Sequence, residues 1–166
     1  MNPIAKRRNF LIPKRHIYQQ SHNWYVLDED FTWNVTLLRS RIFSLLDNPH
    51  CLSIPVVFCD SCEANKIVSE LGEEECEWLL YASGVYWREV GIIFIFRFDE
   101  YLSLVETLFH EFRHIIQEHT PSLRSHFESD KFLPYEERVT EKDAFSFASE
   151  HLQLYIQKYS DASLIL

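Results

Sequence analysis

A chain of 166 residues, 46% hydrophobic and 15% aromatic, is long enough to bury one core and too apolar for intrinsic disorder. No apolar run approaches the roughly 18 residues that cross a bilayer, and the basic start lacks the apolar block of a secretory signal, so a soluble, cytoplasmic protein is expected. A net charge of −9 argues against broad binding to nucleic acid.

Residues 1–23 read as a basic N-terminal arm, with Lys6, Arg7, Arg8, Lys14 and Arg15 and no acid before Asp28. Such an arm suits nucleic acid, an acidic partner or the acidic remainder of its own chain, and the last is favoured here. Residues 24–166 read as one domain. A short strand is expected at "WYVL" (24–27), then a helix over 31–46 that stops at Asn48-Pro49. "SIPVVF" (53–58) has strand character, and residues 62–71 suit a helix ending near Gly72. "SGVYWREVGIIFIFRF" (83–98) reads as two strands with a turn at 89–91. A helix over 100–118 follows, then an irregular stretch with Pro121 and Pro134, then a long helix over about 136–158. Strands gathered ahead of helices point to an α+β fold, with a short mixed sheet packed on these last two helices.

Cys51, Cys59, Cys62 and Cys76 are expected as thiols rather than disulfides. "CDSC" (59–62) has the spacing of a redox or metal pair, a role that wants the pair to open a helix after a strand. Ordinary buried or surface cysteines are the simpler reading.

The chemistry-bearing stretch is "LFHEFRHIIQ" (108–117). At about 100° per residue, Tyr101, Leu104, Val105, Leu108, Phe109, Phe112, Ile115 and Ile116 share one side. Ser103, Thr107, His110, Glu111, His114 and Glu118 share the other, so the helix is amphipathic and the histidines belong to its polar face. Residues four apart are neighbours on a helix, about 5–6 Å apart, so two imidazoles can converge on one zinc. Glu111 is turned away from the ligand positions and beside the open one, where a carboxylate can take a proton from water. The simpler alternative is a solvated polar face.

A catalytic zinc needs a third protein ligand. On the last helix, Ala144, Phe145, Ala148, Leu152, Tyr155 and Ile156 lie within about 60° of Glu141, whereas Glu136, Asp143 and Glu150 point the other way. A carboxylate within an apolar stripe is costly unless paired, which makes Glu141 the expected ligand. Glu137, one turn earlier, is the second candidate, as ligand or as partner to a histidine. Both acids in water at the helix start is the alternative.

"HEFRH" followed by a glutamate on a later helix resembles the zincin metallopeptidases with a glutamate third ligand. "TEKDAFSFASE" resembles the E-x-E-A-N-x-F-A segment of the ImmA/IrrE-like intracellular peptidases, with Arg113 and Phe145 departing from that pattern. The resemblance spans about residues 90–155. It implies a zincin-like domain and a zinc metallopeptidase cutting a specific intracellular protein, with a regulator as the substrate class. In that reading His110, His114 and Glu141 hold Zn2+ and Glu111 is the general base. His126, Tyr135 and Arg138 are candidates to stabilise the charge developing on the carbonyl oxygen. The strand "IIFIFRF" is either a free edge that pairs with an extended peptide or a buried central strand. The competing functional class is a zincin-like domain that binds a protein partner without hydrolysis.

Overall fold

The core lies on both faces of a five-stranded mixed sheet with the order β1-β2-β3-β5-β4. The computed structural model describes residues 7–9 and 11–159. The strands are β1 (Gln19–Ser21), β2 (Trp24–Val26), β3 (Val56–Phe58), β4 (Gly84–Trp87) and β5 (Ile92–Ile95). β2, β3 and β5 run parallel, while β1 and β4 close the two edges as antiparallel hairpin partners.

Strand residues alternate between two cores, as a period of two requires. Trp24, Val26, Val56, Phe58, Ile93 and Ile95 face one side, packed against α1 (Val35–Phe43), α4 (Tyr101–Glu118) and α7 (Val139–Lys158). Val57, Ile92, Phe94 and Trp87 face the other, against α3 (Ser61–Glu70), Leu79 and Ile12. β5 is therefore buried on both faces, and its unbroken Ile-Ile-Phe-Ile run is that of a central strand. Of the two expectations for that segment, the free edge is ruled out: β4 occupies it.

Local signals set the helix starts. Asn34 caps α1 and Asp60 caps α3 through their side chains, the preferred chemistry for orphan helix N–H groups. Asn48 and Pro49 open a short helix, α2 (Pro49–Ser53), whose last residue is where the strand over 53–58 was expected to begin; β3 starts only at Val56. The stretch expected to be irregular carries α5 (Pro121–Arg124) and α6 (His126–Asp130).

The segment read as an arm lies on the acidic body. Arg15 pairs with Glu63 and Glu70, Arg7 donates to the Glu70 carbonyl, Ile12 is buried and β1 joins the sheet; Lys6 lies outside the described residues. No helix among the described residues is long and apolar enough to cross a membrane.

α7 starts with a remote cap. Asp130, at the end of α6, accepts from Val139 N at 3.0 Å, Thr140 N at 2.9 Å and the Thr140 hydroxyl at 2.6 Å. Burial would raise this carboxyl, but these bonds hold it below the usual range. A depressed folded pKa contributes stability above the unfolded value of about 3.9 and loses it as pH falls through the folded one. We expect Asp130→Ala to cost about 1–2 kcal/mol near neutrality. The gap in urea midpoint between the two proteins should narrow as pH falls below the unfolded value of about 3.9; a gap that does not change with pH would rule out the cap.

Candidate metal centre

α4 is buried nearly all round in its second half. Leu104, Val105, Leu108, Phe109, Phe112 and Ile115 face the sheet. The opposite face is not a plain solvated surface: β4 and α7 flank it, leaving His110 8%, Glu111 7% and His114 8% exposed. These residues floor a cleft of about 830 Å³ lined by β4, α4, α6 and the start of α7.

The close approach of β4 has a steric cause. A β-carbon at Gly84 would sit 2.9 Å from Thr107 Cγ2, so only glycine lets the strand lie this near α4. Two positions on, Tyr86 N–H donates to Glu111 Oε2 at 2.7 Å, and its hydroxyl donates to Glu118 at 2.7 Å. β4 therefore runs alongside α4, and the general-base candidate is anchored by the strand at the cleft lip. Burial raises the Glu111 carboxyl above its ordinary value, opposed by the charges of His114 and His110.

Glu141 completes the cluster. One carboxylate oxygen is 3.0 Å from His110 Nε2 and the other 3.1 Å from His114 Nε2. Tyr135 also donates to Glu141, at 2.8 Å. Burial would raise this carboxyl, but bonds from His110, His114 and Tyr135 hold it well below the carboxylate range. The same pairing outweighs burial at His114 and lifts its imidazole to about 9. The ligand atoms of His110, His114 and Glu141 all lie within 4.8 Å of one another, and among the described residues this is the group that could hold a metal ion. The donor set fits: two imidazole nitrogens and one half-buried carboxylate, brought together from two helices, are the three protein ligands that a catalytic zinc takes.

Hydrogen-bond accounting sets the tautomer of His114. Gln117 spends both amide hydrogens, on Thr140 O at 2.7 Å and Asp143 Oδ2 at 2.8 Å. Its oxygen can only accept, so His114 Nδ1 donates to it at 2.9 Å, and in the neutral ring Nε2 keeps its lone pair toward the cluster. Asp143 is held in turn by Arg113, at 2.7 and 3.2 Å. Gln117→Leu is expected to lower zinc affinity by about 10–100-fold, with little change in fold; a competition titration against a chelator would show it, and unchanged affinity would sever Gln117 from the site.

Several expectations need correcting. Asp143 does not point away into water: the buried face of α7, centred on Ala144, Ala148 and Tyr155, is broad enough for Glu141 to flank one margin and Asp143 the other. Phe145 is not in the core; it is half exposed at the cleft mouth with its ring 4.5 Å from that of His110. Glu137 is exposed in a 3-10 turn and outside the cluster. Of the stabiliser candidates, Tyr135 and Arg138 line the cleft and His126 does not. Gln117 and Asp130 were missed. The first stands three residues after His114, a helical neighbour open to reading, whereas Asp130 acts across chain distance.

CDSC does open a helix after a strand, with Cys59 following β3 and Cys62 inside α3. Cys59 is buried, and burial together with the charges of Asp60 and Glu63 pushes its thiol well above its ordinary value, the opposite of an activated thiol.

The sequence pattern of a family described as a protein of unknown function (DUF3920) matches residues 26–159. The chain belongs to the DUF3920 family. That match runs from the last residue of β2 through α7 and takes in every member of the cluster, and its description names no activity. No curated protein and no solved structure matches.

Proposed function

We propose that this DUF3920 protein is a cytoplasmic zinc metallopeptidase of the zincin type, an endopeptidase that cuts a specific protein. The observation that supports this most is the convergence of His110, His114 and Glu141 from two helices, with Glu111 beside them at the floor of a cleft. The four cysteines are free thiols, in keeping with a reducing compartment.

Zinc bound by these three residues would supply a Lewis acid that polarises the scissile carbonyl and acidifies water. Glu111, its pKa raised by burial, takes the proton from the attacking water and passes it to the leaving amine. Tyr135 stays protonated, since burial and its bond to Glu141 push its pKa up. With Glu141 held by zinc, that hydroxyl would be free to donate to the developing oxyanion. Along β4, Ser83 and Trp87 carbonyls bond inward to Phe96 N and Gly91 N at 2.9 and 2.8 Å. The polar groups of Gly84 and Tyr86 therefore face off the free edge; the Tyr86 N–H is spent on Glu111, which leaves the Tyr86 carbonyl and the Gly84 groups for a ligand. An extended peptide can add there as a further strand.

A second reading is a protein-binding domain without hydrolysis, in which Glu141 serves as the hydrogen-bond partner of both imidazoles and Tyr135. The two readings differ in one test. Incubated with a proteome-derived peptide library, the zinc-loaded protein should generate new termini sharing a sequence preference. They should vanish after chelation and return with added zinc. A library left intact under all three conditions would favour the binding domain.

A further inference from the structure

The cleft carries cations in a protein whose net charge is −9. Arg88, just past β4, and Arg138, at the start of α7, both line it. Among the described residues neither guanidinium pairs with a carboxylate, whereas Arg15, Arg113 and Lys131 all do. Both are nonetheless held in place. Arg88 Cζ sits 4.1 Å from the Phe127 ring centroid, and Phe127 in turn is 6.4 Å from the His114 ring. Arg138 donates to the Leu133 carbonyl at 3.2 Å and lies 5.9 Å from the Tyr135 ring.

The acids of the cleft are otherwise engaged. Asp130 caps α7, Glu141 bonds both histidines, and Glu111 is bonded by Tyr86 N–H. Glu106 adjoins Thr107, which touches Gly84, so it lies toward the opposite end of the strand from Arg88. Glu128, which feels the charge of Arg88, is itself paired with Lys131, so the guanidinium of Arg88 keeps its donors for a ligand at that end of β4.

We infer that this cleft recognises a carboxylate on an extended peptide, through Arg88 from the strand side and Arg138 from the α7 side. The inference rests on the peptidase reading of the same site. Guanidinium groups match carboxylates with paired, charge-assisted bonds, and an arginine held against an aromatic ring loses less side-chain freedom on binding. A positive focus on an acidic body also selects against other surfaces of like charge to its own. At about 3.3 Å per residue of extended chain, the Arg88 end meets the peptide two or three residues from the bond cut at Glu111. The carboxylate is either an Asp or Glu side chain or a free C-terminus.

The test uses the full chain carrying Glu111→Gln, loaded with zinc, so that peptides are bound but not cut. Short peptides are offered in pairs that differ by Glu against Gln at one position, and each pair is made with a free-acid or an amidated C-terminus. We expect acidic members to bind about tenfold more tightly than their amides, with the gap shrinking as salt is raised. Adding Arg88→Gln or Arg138→Gln should close most of that gap while zinc content stays unchanged. Dependence on the Glu position identifies a side chain as the ligand, and dependence on the terminal acid alone identifies the C-terminus. Equal binding of acid and amide, no binding of either, or a gap that survives both arginine substitutions overturns the inference. Failure of the peptidase reading shows separately, as peptides bound with acid preference that the zinc-loaded parent protein leaves uncut.

Discussion

Replacing Glu141 by alanine is expected to reduce the metal content of protein purified with zinc from about one equivalent per chain to near zero. The carboxylate is the only member of the cluster contributed by α7, and without it two imidazoles on one helix turn remain, a set too small for a stable site. His110→Ala should have the same effect. Glu137→Ala should have none, because that side chain stands in water outside the cluster. Asp143→Ala falls between: it touches no ligand atom but releases Gln117 from one of its two acceptors, so affinity should fall about 10–100-fold rather than vanish. Elemental analysis of the four variants gives a graded series. Retention of zinc by Glu141→Ala would mean that the third donor has been misassigned.

Glu111→Gln is expected to keep both fold and zinc while cleavage falls by about 10²–10⁴-fold. Glutamine has the same shape, and its carbonyl oxygen can still accept the Tyr86 N–H bond, so the lip strand stays in register. What is lost is the ability to take a proton. The parent's rate should fall on the acid side of its pH–rate profile, where this base becomes protonated, and the variant should lack that limb. Comparable turnover by the variant would remove Glu111 from the chemistry and leave metal binding without a mechanism.

The parts of the fold that could be read in the residues are those with strong periodicity. α4 spans Tyr101–Glu118 against an expected 100–118, and both strands of the β4–β5 hairpin fall inside 83–98. β1 escaped notice because "QQS" is polar, as an edge strand can be. Its turn also puts His22 at φ 54°, where Asn or Gly would have been the visible sign. Glu141 was legible because an acid amid alanines and aromatics needs a partner. Asp143 was misread because one helical wheel gives direction but not the width of the buried face; α4 supplies that width through Arg113 and Gln117. Helical wheels likewise separate polar from apolar sides but do not say what lies across the polar one. Here β4 and α7 flank it, which turns an apparent surface into the floor of a cleft.

The turn that joins β4 to β5 is tied to the start of the chain. Arg8 donates to the carbonyls of Val90 and Gly91 at 3.0 and 2.8 Å, and Gly91, at φ 66°, has no β-carbon to fill the space that the guanidinium takes. A hairpin anchored at its bend hinges less at its free strand. Alterations near residue 8, whether a purification tag or a trimmed terminus, are therefore made within one hydrogen bond of the strand that borders the cleft, and belong among its determinants.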